Sequence, residues 1–257
     1  MNNPEPLEQQ SLSSHLLELR SCLLRSIAAV FVVFLVLTPF ANTLYEVVSA
    51  PLQALLPEGS SMIATEVASP FFAPFKLTLF VALFAAMPFI LYQVWVFIAP
   101  GLYRQEKYIA LPIFVSSVLL FYCGMAFAYF VVFPLVFGFF TSIGPDNIVI
   151  MTDISQYLNF ILKLFFAFGL AFEIPVATVM LIKAGITNRE RLAEKRPYVI
   201  LGCFVFGMLL TPPDVISQTL LAVPTWLLFE IGLLMSRVVG GGDEHSIAQQ
   251  QEAASKD

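Results

Sequence analysis

The stretch YLNFILKLFFAFGLAFEIPVATVMLI, residues 157–182, carries only two charged side chains, Lys163 and Glu173, in 26 positions. A helix of about 20 apolar residues crosses the ~30 Å hydrocarbon core of a bilayer. This run is longer than that and apolar on every side, so it has no polar face to offer water and reads as a helix in lipid. Comparable runs lie outward from it at 23–43, 77–98, 109–137 and 217–236. A shorter one, 198–211, has 14 residues and would reach only about 21 Å at the ~1.5 Å rise of a helix. It reads as a short sixth span; a re-entrant segment or a buried helix are the alternatives at that length. The composition agrees. Of 257 residues 58% are hydrophobic and 12% charged, against roughly 45–50% and ~25% in soluble domains. The predicted fold is all-α: a polytopic membrane protein with six transmembrane helices forming one domain over 1–238, followed by a polar, disordered cytoplasmic tail over 239–257.

Orientation follows from the basic residues. With the N-terminus in the cytoplasm, eleven of the thirteen lysines and arginines fall on that side, five of them in the 183–197 loop. The outer side keeps Lys76 and Lys163, each near a span end from which a long side chain can snorkel. Both termini are therefore expected to be cytoplasmic. The net charge of -5 argues against nucleic-acid binding, which needs a concentrated basic face. The three cysteines, Cys22, Cys123 and Cys203, have no paired spacing and imply neither a disulfide framework nor a metal site. No cleavable signal is expected ahead of the first run, because Glu5 and Glu8 stand where basic residues would be needed.

The outer connections differ in character. The first, about 44–76, is long and apolar, and is expected to pack as a cap over the helix ends rather than float in water. The second, about 138–156, has turn residues at Gly144–Asn147. The third, around Pro212–Asp214, is short enough to force the last two spans into a tight hairpin. Pro39, Pro88, Pro112, Pro134, Pro175 and Pro224 lie inside spans. Each removes a helical hydrogen bond, so a bent, non-ideal bundle is expected.

Few residues could carry chemistry. Glu173 sits near the middle of the fourth span, where an acidic side chain costs about 2.5–3.5 kcal/mol on insertion scales. A partner, a proton or a water-filled cavity must offset that. Glu173 therefore either lines a ligand cavity or bridges helices as a hydrogen-bonded acid. Glu230, near the cytoplasmic end of the last span, is expected to pair with Arg237 or reach the interface. In the N-terminal helix Glu18 and Arg20 are two residues apart, roughly 200° around the axis, and do not form a pair with each other. Glu18 is thus open to an external cation, as is Glu106 in the first cytoplasmic loop; solvated surface charge is the alternative for each. His15 and His245 have no nucleophile or metal-ligand partner in sequence, and no phosphate-cradling glycine loop follows a strand. No enzyme, cofactor or metal is implied.

Six strings bring a family into view: HLLELRSCLLRS (15–26), VASPFFAPFK (67–76), LYQVWVFIAPGLYRQEK (91–107), GMAFAYFVVFPLVFGF (124–139), FAFGLAFEIPVA (166–177) and KRPYVILGCFVFGMLLTPPDVISQTLLAVP (195–224). In one register from about residue 12 to 238 the chain resembles the TatC family of the twin-arginine protein translocase, proteobacterial type. The resemblance implies a glove-shaped six-helix bundle in the bacterial inner membrane, with short fifth and sixth helices and a periplasmic cap. It implies a receptor for twin-arginine signal peptides of folded proteins. That receptor would work with the single-span subunits TatA and TatB, driven by the protonmotive force, as a homo-oligomer within a TatBC complex. Carried onto this chain, the signal-peptide patch falls on Glu18 and Glu106 with Arg20, Phe97, Pro100, Leu102 and Tyr103 around it. Two carboxylates can take two guanidinium groups through bidentate, charge-assisted hydrogen bonds. Glu173 matches the family's cavity glutamate. Met208, Thr211, Asp214 and Gln218 match the TatA/TatB docking region, and Pro51, Phe71 and Asp153 the cap. For Met208 lipid-facing packing, and for Thr211 and Gln218 helix capping, are the alternatives. A proton-coupled small-solute transporter using Glu173 would also fit a helical bundle, but no paired, glycine-interrupted repeat halves stand out.

Overall fold

In lipid no water is present to satisfy a bare N–H or C=O, so each crossing segment must close its own hydrogen bonds, and the chain does so as helix. The computed structural model describes residues 7–55, 63–98, 107–143, 153–183, 186–210 and 215–254. Among them, five helical stretches are long and apolar enough to cross a membrane: Leu17–Val48, Ser69–Phe97, Leu111–Val136, Ile154–Lys183 and Gln218–Arg237. Each overlaps one of the long predicted runs. The 198–211 run is a shorter apolar helix, Arg196–Leu210.

Pro39, Pro134 and Pro175 lie beside the interruptions, while Pro88, Pro112 and Pro224 lie inside continuous helices. Helix α1 (Leu7–Leu37) ends in a 3-10 turn, Thr38–Phe40, before α2 (Ala41–Leu55). Pro39 has no N–H for the Leu35 carbonyl four residues back, and beside it the Thr38 hydroxyl donates to the Phe34 carbonyl at 2.7 Å. Helix α3 (Ser69–Ile98) has Pro70 in its first turn, where a missing N–H costs nothing. Helix α4 (Lys107–Phe127) widens into a π turn, Ala128–Val132, just ahead of Pro134 in α5 (Phe133–Ile143). The fourth span is two helices, α6 (Ile154–Ala171) and α7 (Ile174–Lys183), parted two residues before Pro175. A short helix α8 (Arg189–Glu194), capped by the Asn188 side chain accepting from the Arg191 N–H at 3.0 Å, leads into α9 (Arg196–Leu210) and α10 (Val215–Ala254).

Two units emerge. The first comprises Met1–Gly101, Gln105–Phe114 and Val149–Leu158. In it α1 and α2 both pack on α3, around the buried side chains of Leu77, Ala82, Phe84, Met87 and Trp95. The second comprises Leu102–Arg104, Val115–Ile148 and Asn159–Asp257, with α10 packed on α7 and α9. Its core includes Phe121, Leu164, Phe168, Leu221 and Leu233. The α4–α6 approach is close because both helices offer glycine at the contact. A Cβ on Gly124 would collide with the Phe168 carbonyl oxygen, and one on Gly169 would lie 2.6 Å from the Phe121 ring.

Two expectations shift. The outer connection over 44–76 is not all loop: α2 runs to Leu55 and α3 starts at Ser69. Residues 41–55 alternate apolar and polar positions with helical period, and such a segment can fold as a helix without being a span. The tail from 239, expected to lack order, continues α10 as far as Ala254. Extending an existing helix avoids the nucleation step, and Ala, Gln and Glu are strong helix formers.

Candidate functional site

The site at membrane depth is built by the break between α6 and α7. The missing N–H of Pro175 frees the Ala171 carbonyl. Phe172 still donates to Phe168 at 3.0 Å, but the Glu173 N–H turns back to Leu170, at 3.0 Å, as in a tighter helix. The Glu173 side chain leaves the chain at this turn. Its Oε2 accepts from the Ser117 hydroxyl of α4 at 2.5 Å, and Ser117 is buried at 2% exposure. The other oxygen, Oε1, is buried and has no hydrogen-bond partner among the described residues. A buried acceptor left open beside a broken helix is an uncompensated polar group. Ser117 was not singled out from the sequence; the polar pair Ser116-Ser117 in the apolar run IFVSSVLLF was the available signal.

A second polar anchor lies in the first unit. Asp153 Oδ1 accepts the N–H groups of Ser155 and Gln156, each at 2.9 Å, and so caps α6. Its Oδ2 accepts the Thr65 hydroxyl at 2.6 Å and the Thr65 N–H at 3.0 Å, and Ile154 donates to the Ile63 carbonyl at 3.0 Å. One carboxylate thereby ties the 63–65 segment to the start of the fourth span. The Thr65 hydroxyl and the backbone donors hold its pKa well below the usual 3.8, at about 2. Of the other cap positions, Phe71 is exposed at the start of α3 with its ring against Phe72 and Phe75, at 5.2 and 5.1 Å, and Pro51 lies within α2.

Of the signal-peptide positions, Glu18 and Arg20 are exposed near the start of the first span, and Phe97 is half-buried at the end of the second. Pro100, Leu102, Tyr103 and Glu106 lie outside the described residues. In the hairpin, Met208 is half-exposed on α9. Gln218 is neither exposed nor a helix cap: its Nε2 donates to the Phe204 carbonyl at 2.8 Å, and α10 approaches α9 at Gly207. Thr211 and Asp214 lie outside the described residues. Glu230 pairs not with Arg237 but with Arg196. The guanidinium of Arg196 donates through Nε at 2.7 Å and Nη2 at 2.9 Å to the two carboxylate oxygens. The fork matches a carboxylate in shape, and the two-point contact locks α9 to α10. Lys163 is exposed.

A family model described as Sec-independent protein translocase protein (TatC) matches residues 14–224. The chain belongs to the TatC family. It is 65% identical over 230 residues to the TatC of Azotobacter chroococcum, covering 90% of each chain. It is 59% identical to that of Escherichia coli K12 over 91% of each. A crystal structure of a twin-arginine translocase receptor TatC superposes with a TM-score of 0.79 at 38% identity, covering 87% of this chain and 98% of that one. TatC proteins are multi-pass membrane components of a protein translocase and not enzymes, and that holds for this chain.

Proposed function

We propose that this chain is the receptor subunit of a twin-arginine translocase in the bacterial inner membrane. It spans the membrane six times, the helix Arg196–Leu210 being the short fifth span, with both termini in the cytoplasm. The observation that carries this reading is the exposed Glu18 near the start of the first span, with Phe97 at the end of the second, in a chain whose relatives match it along nine-tenths of its length. Glu18 and Glu106 each take one guanidinium of the arginine pair, and Arg20, Phe97, Pro100, Leu102 and Tyr103 shape the surface around them. Two planar forks fit two carboxylates better than two ammonium groups do, which gives arginine its advantage over lysine. Met208, Thr211, Asp214 and Gln218 form the docking region for TatA and TatB, Pro51, Phe71 and Asp153 hold the periplasmic cap, and Glu173 lines an intramembrane cavity. Export draws on the protonmotive force.

The test is binding of a labelled signal peptide to the purified chain in nanodiscs. Twin-arginine and twin-lysine peptides are compared on wild type and on Glu18→Ala/Glu106→Ala. Each charge-assisted contact to an ionised group is worth about 1.5–3 kcal/mol. Loss of both contacts should therefore weaken the arginine peptide at least a hundredfold. Equal binding of both peptides, or a double variant that binds like wild type, would refute the assignment.

A further inference from the structure

A slot of about 350 Å³ opens in the second unit where the α6–α7 break faces α9 and α10. Leu170 and Ile174 form one wall, Val199, Gly202 and Phe206 the second, and Thr225 the third. The Thr225 hydroxyl is already spent on the Leu221 carbonyl at 2.9 Å, so the walls are apolar in effect. The slot has room at Gly202, where a Cβ would meet nothing within 4 Å. One helical turn before Val199 the wall ends in cations. Val199 donates its N–H to the carbonyl of Lys195, whose side chain is exposed, and Arg196 bridges α9 to Glu230 of α10. Helix α8, packed on both α9 and α10, adds Arg189 and Arg191. Residues 183–196 hold five cations against Glu190 and Glu194, and Arg196 neutralises Glu230.

We propose that this slot is a binding site for one anionic phospholipid, an acyl chain between α7, α9 and α10 and the headgroup phosphate on Lys195 and the α8 arginines. Lipid tails are as apolar as the walls, so the slot alone does not choose among lipids; the basic rim does. The combination is particular to this place. A larger groove of about 460 Å³, between the π turn and the start of α10, is equally apolar but adjoins no run of cations. The orientation proposed above would place this headgroup in the cytoplasmic leaflet; the binding itself does not rest on it.

The experiment uses the full chain purified in mild detergent. Native mass spectrometry measures retention of phosphatidylglycerol against phosphatidylcholine with identical tails, and a photoactivatable acyl chain on the phosphatidylglycerol maps the contact. Wild type should prefer phosphatidylglycerol and crosslink within 170–206 or at Thr225. Lys195→Gln should weaken phosphatidylglycerol about fivefold, the effect of one basic residue near a charged headgroup, and leave phosphatidylcholine unchanged. Gly202→Phe, which fills the slot from a position with free space, should abolish the crosslink. Equal retention of the two lipids, crosslinks elsewhere, or an undiminished crosslink in Gly202→Phe would overturn the proposal. Should that variant fail to fold, the wild-type crosslink map and Lys195→Gln decide alone. Failure of twin-arginine peptide binding would sink the receptor reading and leave these outcomes unaffected.

Discussion

Glu173 can be tested as a functional group separately from its part in the fold, because the structure gives it one bond to another helix and one open oxygen. Ser117→Ala removes the only donor to Oε2 among the described residues and leaves the carboxyl with two unpartnered oxygens. Side-chain hydrogen bonds between membrane helices average about 0.6 kcal/mol in double-mutant cycles and reach about 1.7. Ser117 is 2% exposed and the bond is short, so the value belongs near the upper end, about 1–1.7 kcal/mol. Glu173→Gln keeps a carbonyl oxygen for Ser117 and should change stability by less than about 0.5 kcal/mol, whereas Glu173→Leu should lose the whole bond. Unfolding in bilayers by steric trapping gives the four stabilities of the cycle Ser117→Ala with Glu173→Leu. Export of a twin-arginine reporter is read on the same variants. A coupling of about 1 kcal/mol or more, with Glu173→Gln stable but defective in export, is the expected result. A coupling under about 0.3 kcal/mol would refute the bond as an organising contact. Full export in Glu173→Gln would reduce Glu173 to a bridge between helices.

Two further outcomes follow from local geometry. Asp153 has a pKa lowered to about 2 from 3.8, so its contribution is complete above about pH 4 and fades as the pH falls toward 2; thermal melts in detergent from pH 6 down to 2 should show wild type losing its advantage over Asp153→Ala, and an advantage that grows on acidification would contradict the clamp. Gly169→Ala places a methyl 2.6 Å from the buried Phe121 ring and should destabilise by about 1–3 kcal/mol, as overpacking does. Phe121→Leu in the same chain should recover part of that loss in a thermal-shift measurement.

The helical spans were legible because lipid leaves the backbone no choice: a long apolar run must close its own hydrogen bonds, and its length alone marks it. The breaks at Thr38–Phe40 and Phe172–Glu173 were legible in Pro39 and Pro175 for the same local reason. What the sequence concealed was non-local. The Ser117–Glu173 bond joins residues 56 apart, and neither helix announces which of its faces meets the other. Glu230 had Arg237 seven residues away on its own helix. The pair instead formed with Arg196, 34 residues earlier, because the α9–α10 hairpin brings a fork-shaped donor within reach of both oxygens. That the Gln218 amide reaches the Phe204 carbonyl, rather than capping its helix, had no sign in the sequence. Helix α2 was missed because an amphipathic segment beside a span looks, in composition, like a proline-containing loop.

The break and the carboxylate in the fourth span are best understood as one device. A carboxylate in an unbroken helix at this depth would find every nearby backbone N–H already taken, and only another helix could satisfy it. Pro175, two residues on, frees the Ala171 carbonyl one turn back, while the turn at Phe172–Glu173 sets the carboxyl where Ser117 reaches only one of its oxygens. A purely structural bridge gains nothing from a second open acceptor, since leaving one unpaired costs about 1–3 kcal/mol. An apolar residue at 173 with an intact helix would be the more stable solution on both counts. Retaining a broken helix, a proline and a half-satisfied acid together makes sense where a donor arrives from outside the fold, whether a polar residue of a partner helix or water drawn to this depth. A double variant, Glu173→Leu with Pro175→Ala, should then be more stable than wild type and fail in export. If it exports normally, the device serves only the fold.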